Sequence, residues 1–348
     1  METAPSWEND SSYFTSYAFF FYPERRQDLA VFIIWQLINF YSIVCNSLVI
    51  AGICGNRKFH SQTCYWLVLA MAVADAAQSI LNMISVAVLV CHGHCWLGQV
   101  EVMARVLSVY FIPYYAAIAL YAVLAINRFT MTIASDYYST IFSRRSTTIW
   151  LAGVMVFAIV ISSLTMMPCC WIIVYPTQYS TGYVHPDAWL VVLFYPVNLT
   201  VTLVMIICYS IMIHKVRKSR RKTMSYNKTQ QMVSSRREYA LMIQRFGDHL
   251  ECFQYKLFDI MYFVIISVYY TAAWTSWQWV PVVWRSKWAN CLMTTGLCLI
   301  NAVNPTVYFI FNTQLRLALN DMLQGIPGRT STRSSMAANL EKSLSIVM

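Results

Sequence analysis

The sequence predicts an all-α integral membrane protein, a seven-transmembrane helix bundle followed by a short amphipathic C-terminal helix. Composition is the first reason, because 58% of the 348 residues are hydrophobic and only 11% are charged, whereas soluble domains carry about 25% charged residues. Patterning is the second, because seven apolar segments approach or exceed the roughly 20 residues that a helix needs to cross the bilayer core. Helices are expected, since backbone polar groups in hydrocarbon must be satisfied within their own segment.

The predicted spans follow one another along most of the chain. They run from Leu29 to Cys54, Tyr65 to Val90, Trp96 to Ile126, Thr148 to Trp171, Ala188 to Ile213, Leu257 to Val280 and Ala289 to Phe311. The chain thus divides into an N-terminal tail at 1–28, the bundle at 29–311, an amphipathic helix at 312–323 and a disordered cytoplasmic tail at 324–348. The amphipathic helix is predicted from Leu315, Leu319, Met322 and Leu323 beside Arg316.

Lys and Arg are distributed unevenly between the loops, and this predicts the orientation. With the N-terminus outside, 20 of the 25 Lys and Arg residues lie at the cytoplasmic face, 11 of them from Lys215 to Lys256. The first span is expected to act as its own signal, because the acidic tail before it has no apolar signal region. Asn9 begins an Asn-Asp-Ser triplet and is a glycosylation candidate on an extracellular tail. The chain is therefore expected in the cell membrane as a multi-pass protein with a cytoplasmic C-terminus.

The same patterns argue against several classes of function. The net charge of +10 comes from basic loops between apolar spans, so the expected partner is the lipid bilayer and not nucleic acid. No cofactor or metal is expected, since the Cys and His spacing does not suit a metal site. No catalytic site is expected, since the spans hold no nucleophile beside a base. A multi-pass channel or transporter is the alternative function, although the two halves of the chain show no symmetry.

Polar and aromatic signatures occur in a fixed order along the spans. They are Asn46 in span one, Asp75 in span two, Arg128 at the end of span three, Trp150 in span four and Asn304-Pro305 in span seven. A charged side chain at the middle of the bilayer costs roughly 2.5–3.5 kcal/mol, so such residues need partners or a function. In this order and at these intervals, they resemble the landmark residues of the rhodopsin-like (class A) G-protein-coupled receptors.

Departures from that family make the chain similar to a divergent branch, the nematode serpentine chemoreceptors. Asn127-Arg128-Phe129 stands where the family usually has Asp-Arg-Tyr, and Asp248 or Glu251 is a candidate for the missing acid. Span six lacks the family's Cys-Trp-x-Pro. The usual cysteine at the top of span three is missing as well. The resemblance implies a substitute disulfide whose pairing stays open among four candidates, Cys91, Cys95, Cys169 and Cys170.

The resemblance implies a receptor that binds an extracellular ligand, a small-molecule chemosensory cue or a peptide, and that signals through a heterotrimeric G-protein. It assigns G-protein coupling to Arg128, Asn127, Phe129 and Tyr308. It assigns a relay between the two ends of the bundle to Asn46, Asp75, Asn301, Asn304 and Pro305. Asn301 and Asn304 share a helix face, because they are three residues apart.

Candidates for a ligand pocket lie in the outer halves of spans three and six. They are Glu101, Arg105, Tyr110, Phe111, Tyr114, Tyr115, Tyr269, Tyr270, Trp274 and Trp277. An aromatic cavity with few polar groups suits a small, mostly apolar ligand. The alternative for each ring is helix packing or a place in the interfacial aromatic belt. Glu101 and Arg105, one turn apart, either pair with each other or recognise a charged group of the ligand.

Overall fold

The computed structural model describes residues 23–90, 100–167, 172–175, 179–183, 189–230 and 286–324. Among these residues, six helices are long and apolar enough to cross a membrane, and they correspond in order to predicted spans one to five and seven. Predicted span six lies outside the described residues. The predicted helical membrane fold is confirmed, and one short β-hairpin is added to it.

Helices make up most of the described chain, with one hairpin between two of them. The described helices are α1 (Pro23–Gly55), α2 (Arg57–His60), α3 (Thr63–Val90), α4 (Val100–Ile133), α5 (Ser135–Ile141), α6 (Arg144–Leu164), α7 (Trp189–Gln230), α8 (Lys287–Phe311) and α9 (Thr313–Leu323). Between α6 and α7 lie the strands β1 (Ile172–Tyr175) and β2 (Ser180–Tyr183), which pair antiparallel with Tyr175 opposite Ser180. The membrane candidates are α1, α3, α4, α6, α7 and α8.

Helix α4 continues to Ile133, beyond the predicted end of span three at Ile126. No Gly or Pro follows Ile126 within this helix, so nothing in the sequence stops it. The hydroxyl of Thr130 donates to the Ile126 carbonyl at 3.0 Å, and that of Thr132 donates to the Arg128 carbonyl at 2.9 Å. These hydroxyls are satisfied within the helix itself. Arg128 therefore lies inside α4 and not at its end.

Helix α6 ends at Leu164, before the predicted end of span four at Trp171. The backbone N–H of Thr165 donates to the Ser162 carbonyl at 3.1 Å, a tight final turn of the kind that closes many helices. The segment that follows contains the β-branched run Ile172-Ile173-Val174, which favours a strand over a helix. The prediction of span four was therefore too long at this end.

Helix α4 lies at the centre of the described bundle. Helices α3, α6 and α7 pack against it, while α1 packs against both α3 and α8. Tyr115, Leu124 and Ala125 of α4 belong to the largest buried apolar cluster. On α6, Ile149 and Val156 are more than half exposed, as expected for side chains that face lipid. The landmark Trp150 also lies on this outer surface.

Candidate functional site

A buried cluster of polar side chains joins α3, α4 and α8 in the middle of the bundle. The Asp75 side chain is fully buried on α3. The Asn304 amide donates to Asp75 Oδ2 at 2.8 Å and also to the phenol oxygen of Tyr121 on α4. Buried polar groups are costly unless they are paired, so these contacts tie three helices together at one level. We call Asp75, Asn304 and Tyr121 the central triad.

Asn46 connects α1 to the same level. Its amide donates to the backbone carbonyl of Asn301 on α8 at 3.1 Å and to the carbonyl of Ser42 at 3.0 Å. The hydroxyls of Ser42 and Ser79 lie 2.8 Å apart, and Ser79 donates to the Asp75 carbonyl at 2.8 Å. The structure thus brings Asn46, Asp75, Asn301 and Asn304, all predicted for the relay, into one connected region.

The polar region retains unused hydrogen-bonding capacity. Asp75 Oδ1, Asn46 Oδ1 and Asn301 Nδ2 are buried and have no hydrogen-bond partner within the part of the chain that the structure describes. Most buried polar atoms in proteins are paired. Unpaired atoms at this level can therefore accept new partners when neighbouring helices move. Pro305 follows Asn304 directly and is accommodated inside α8.

Three of the four predicted coupling residues, Asn127, Arg128 and Phe129, lie together in the C-terminal part of α4. Asn127 is fully buried, and neither atom of its amide has a partner among the described residues. Arg128 is half-buried and lies close enough to Tyr65 of α3 to interact with it electrostatically. Phe129 packs on the main apolar cluster. A fully buried amide, Asn127, and a half-buried cation, Arg128, are thus neighbours at the edge of the core.

Tyr308 lies in a second apolar cluster where α9 meets the bundle. Tyr308, Tyr65 and Leu315 are buried together there. Asn312, between α8 and α9, donates to the Tyr65 phenol at 3.3 Å and accepts from the Leu315 backbone N–H at 3.0 Å as the N-cap of α9. A side chain at an N-cap satisfies a backbone donor that the helix leaves free. Asn312 therefore fixes α9 relative to α3.

Lys215 of α7 provides a further link at this end of the bundle. Its ammonium group donates to the backbone carbonyls of Thr132 at 3.1 Å and Ile133 at 3.0 Å. A cation is favourable at the C-terminus of a helix, where carbonyl groups lack intrahelical partners. The contact holds α7 against the end of α4 that carries Arg128.

The aromatic pocket candidates of α4 form a ring cluster. Tyr114 and Tyr115 are buried with ring centroids 5.1 Å apart, and Phe111 lies 5.8 Å from Tyr115. Tyr110 accepts a hydrogen bond from Gln78 of α3 at 3.0 Å. The Tyr114 and Tyr115 rings meet edge to face at 79°, an arrangement typical of packed aromatic pairs, so the geometry of these two rings is consistent with the packing alternative.

The other predicted positions fall outside what the structure describes. These are the side chains of Glu101 and Arg105, whose backbone begins α4, and all of Asn9, Cys91, Cys95, Cys169, Cys170, Asp248, Glu251, Tyr269, Tyr270, Trp274 and Trp277.

The hairpin end of the bundle carries a charged cluster that was not predicted from the sequence. Lys287 Nζ lies 2.8 Å from Asp28 Oδ1, and the Tyr179 phenol donates to the same carboxylate oxygen. Burial, and then the hydrogen bond and charge of Asp28, raises the pKa of Tyr179 above its ordinary value, so this phenol remains a donor. A mixed-charge tail was all that the sequence indicated here, because the three residues are far apart in the chain.

Tyr121 was not predicted either, although the sequence contained a signal. It lies seven residues before Arg128, two helical turns away on the same face of α4. A tyrosine within an apolar span is easily interpreted as packing, and only the structure shows its phenol beside Asn304.

Six described helices long and apolar enough to cross a membrane, joined by a buried Asp–Asn–Tyr network, are features of a multi-pass helical membrane protein. The family model described as serpentine type 7TM GPCR chemoreceptor Srx matches residues 36–312, and the chain belongs to this family. The predicted resemblance to serpentine chemoreceptors is confirmed. The prediction of a multi-pass membrane protein of a receptor class is confirmed as well. A comparison with curated proteins finds no match.

Proposed function

We propose that this receptor binds an extracellular small-molecule chemosensory cue and signals through a heterotrimeric G-protein. The observation that carries the proposal is the buried polar chain that connects Asn46, Asp75, Tyr121 and Asn304 across four helices. Desolvating these groups is unfavourable, and the described helices leave some of their atoms without a partner among the described residues. A membrane scaffold without a switching role would have little reason to retain such a partly satisfied network.

Signalling requires two helix arrangements of similar free energy. A ligand shifts their populations only to the extent that it binds one arrangement better than the other. The atoms of Asp75, Asn46 and Asn301 that have no partner in the described part of the chain supply new hydrogen bonds in a second arrangement. In this mechanism, the relay residues transmit the change in helix arrangement towards Arg128. Arg128 contacts the G-protein once the adjacent helix end moves away from it.

The ligand is proposed to be small and mostly apolar. The outer part of α4 presents aromatic rings, with Tyr110 and Phe111 only half-buried and their ring centroids 5.5 Å apart. A pocket of this kind binds by apolar contact and uses a few polar groups for orientation. A screen of volatile and water-soluble small molecules and short peptides, in cells that express the receptor with a promiscuous G-protein, identifies the ligand class.

Replacing Arg128 tests the coupling proposal directly. Arg128→Ala is expected to abolish ligand-free and ligand-evoked GTPγS exchange while surface expression, measured through an epitope tag, persists. Arg145→Ala is the matched control, because Arg145 is an exposed arginine at the start of α6, and it should leave exchange nearly unchanged. Normal exchange from Arg128→Ala ends the proposal. Ligand-evoked current in proteoliposomes without any G-protein would instead support the channel alternative.

A further inference from the structure

The side chain of Tyr179, beside the hairpin, fills a crevice between α1, α3 and α8. Tyr179, in the turn before β2, is fully buried. Its backbone has φ = 51°, a left-handed conformation that is unfavourable for a residue with a bulky side chain. Thr294 of α8 donates to the Tyr179 carbonyl at 3.2 Å. The backbone at Tyr179 is therefore held in a strained conformation with this ring buried in the bundle.

The residues of the crevice contact both the ring and the hydroxyl of Tyr179. Trp35 packs edge-to-face on the Tyr179 ring, with centroids 5.7 Å apart and planes at 77°, and Val31 and Val86 are buried in the same cluster. The Lys287 ammonium lies 4.5 Å from the ring centroid, a cation–π distance. Asp28 accepts the phenol hydrogen. The walls are apolar, and the acceptor lies at the end of the ring.

The crevice lies directly above a layer of buried polar side chains. One helical turn beyond Trp35, Asn39 donates to Cys298 Sγ at 3.7 Å, and one turn beyond Val86 lies Asn82. Asn39 and Asn82 are more than nine-tenths buried, and Asn39 Oδ1 and Asn82 Nδ2 have no partner within the described ranges. Asn46 and Asp75 lie two turns further along α1 and α3, and Asn301 lies one turn beyond Cys298 on α8. An occupant of the crevice is therefore about three helical turns away from the relay.

We propose that this crevice is a binding site for a single-ring aromatic molecule that carries a hydrogen-bond donor, and that Tyr179 occupies it as a tethered ligand. An external phenol binds by replacing the Tyr179 ring on Trp35 and its hydroxyl on Asp28. The inference goes beyond the proposed receptor function, because it adds a second ligand site on the α1, α3 and α8 side, apart from the aromatic rings of α4, and gives its ligand a chemical class. Binding of the phenol does not require the proposed receptor function. Only the interpretation of that binding as a signal rests on it.

The tether sets the strength of competition. A group attached through a short linker acts at a millimolar effective concentration. The apparent affinity of an external ligand equals its intrinsic affinity multiplied by the fraction of time that the site is free of Tyr179. Weakening the contact of Tyr179 with Asp28 should therefore strengthen binding of an external phenol. This relation distinguishes a tethered ligand that can be displaced from a side chain that is a fixed part of the core.

Removing the ring tests the site with 4-methylphenol as the probe. Tyr179→Ala in purified, detergent-solubilised receptor is expected to lower Tm, and 4-methylphenol is expected to recover most of the loss, since a ligand that binds only the folded state stabilises it. Toluene, which lacks the hydroxyl, should bind roughly 10- to 100-fold more weakly, as expected for loss of a hydrogen bond to a charged group. In the double variant Tyr179→Ala, Asp28→Asn this preference should shrink. Tyr137→Ala is the control, because Tyr137 is 67% exposed on α5 and its removal creates no site.

A gentler variant keeps the proposal testable if Tyr179→Ala does not fold. Tyr179→Phe retains the ring and loses the bond to Asp28, so 4-methylphenol should raise its Tm at roughly 10-fold lower concentration than it does for the wild type. Equal concentrations for the two proteins overturn the proposal, as does 4-methylphenol acting equally on Tyr179→Ala and Tyr137→Ala. Because no G-protein is present, a failure here leaves the coupling test of Arg128 unaffected, and failure of that test leaves this binding result intact.

Discussion

At the scale of single residues, the central triad shows what sequence can and cannot provide. Asp75 and Asn304 were predicted from their cost in hydrocarbon and from their place in a known order. Their contact at 2.8 Å follows from helix packing, which no spacing within one span encodes. Tyr121 completes the triad and was not predicted, because a phenol is acceptable in an apolar helix with or without a partner.

The contact between Asp75 and Asn304 predicts coupled stability. Asp75→Ala and Asn304→Ala should each lower the free energy of unfolding, and the double variant should lower it by about 1 kcal/mol less than their sum, since the second change removes a group already left without its partner. Thermal unfolding of the purified receptor measures this cycle. Ser163→Ala on the outer face of α6 is the control and should add independently to Asp75→Ala. Additive effects for Asp75 and Asn304 would contradict the contact.

Asn127 predicts a receptor with raised ligand-free activity. The residue is fully buried, and its amide atoms are unpaired among the described residues. Asn127→Asp introduces a buried carboxylate that requires a counter-charge, and the neighbouring Arg128 is the nearest group in sequence to supply it. Holding the arginine should reduce ligand-free GTPγS exchange about fivefold or more, the scale of a typical coupling free energy.

The control for this prediction is Asn127→Leu, which is similar in size and cannot bind a cation. It should retain ligand-free exchange at matched surface expression. If Asn127→Asp and Asn127→Leu exchange nucleotide at the same rate as the wild type, the missing acid has no part in basal activity.

At the scale of elements, helix existence was easier to predict than helix ends. The spans followed from hydrophobic runs, but α4 continued past Ile126 and α6 stopped before Trp171. The run after Ile126 contains polar residues but stays helical, because Thr130 and Thr132 satisfy their hydroxyls inside the helix. Residues 172–175 are as apolar as a span, and only pairing with β2 makes them a strand.

Helix α9 depends on a close approach to α1 at Gly52. A Cβ at Gly52 would lie 2.9 Å from Leu315 Cδ1 and 3.1 Å from Leu319 Cγ. Gly52→Ala should therefore displace α9 and lower the free energy of unfolding by about 1–3 kcal/mol, as overpacking does. Thermal unfolding measures the loss, and Leu315→Ala in the same chain should restore part of it.

Gly153 on α6 is the matched control for Gly52. A Cβ placed at Gly153 would have no atom of another described helix within 4 Å, so Gly153→Ala should be neutral or stabilise the helix slightly through its higher helix propensity. If Gly52→Ala were equally harmless, the docking of α9 on α1 would not be a tight contact.

At the scale of the whole molecule, the described polar groups form levels along α1, α3 and α8. Asp28, Lys287 and Tyr179 lie at one end, Asn39, Asn82 and Cys298 follow, and the central triad and Asn46 lie beyond them. The fold class could be predicted because the hydrocarbon core of the bilayer requires long apolar helices, and such helices are visible in the sequence composition. The levels could not, because they arise from residues hundreds of positions apart that meet only after α8 packs on α1.

The direction of these levels across the membrane is a prediction that the sequence itself allows to be tested. Asn9-Asp10-Ser11 lies in the predicted extracellular tail, and Asn227-Lys228-Thr229 lies 12 residues beyond the candidate span Pro196–Lys215, in the predicted cytoplasmic loop. Glycan transfer requires such a triplet on the outer side, so the two sites report opposite orientations. The excess of Lys and Arg after that span favours its retention inside.

We therefore expect a glycan on Asn9 and none on Asn227. In mammalian cells, the receptor should migrate as a larger species that N-glycosidase treatment reduces, and Asn9→Gln alone should abolish this difference. Asn227→Gln is the matched control and should leave it unchanged. A mobility difference that survives Asn9→Gln and disappears with Asn227→Gln would place the Arg128 end of the bundle outside the cell, where no G-protein could reach it, and would overturn the coupling mechanism together with the orientation.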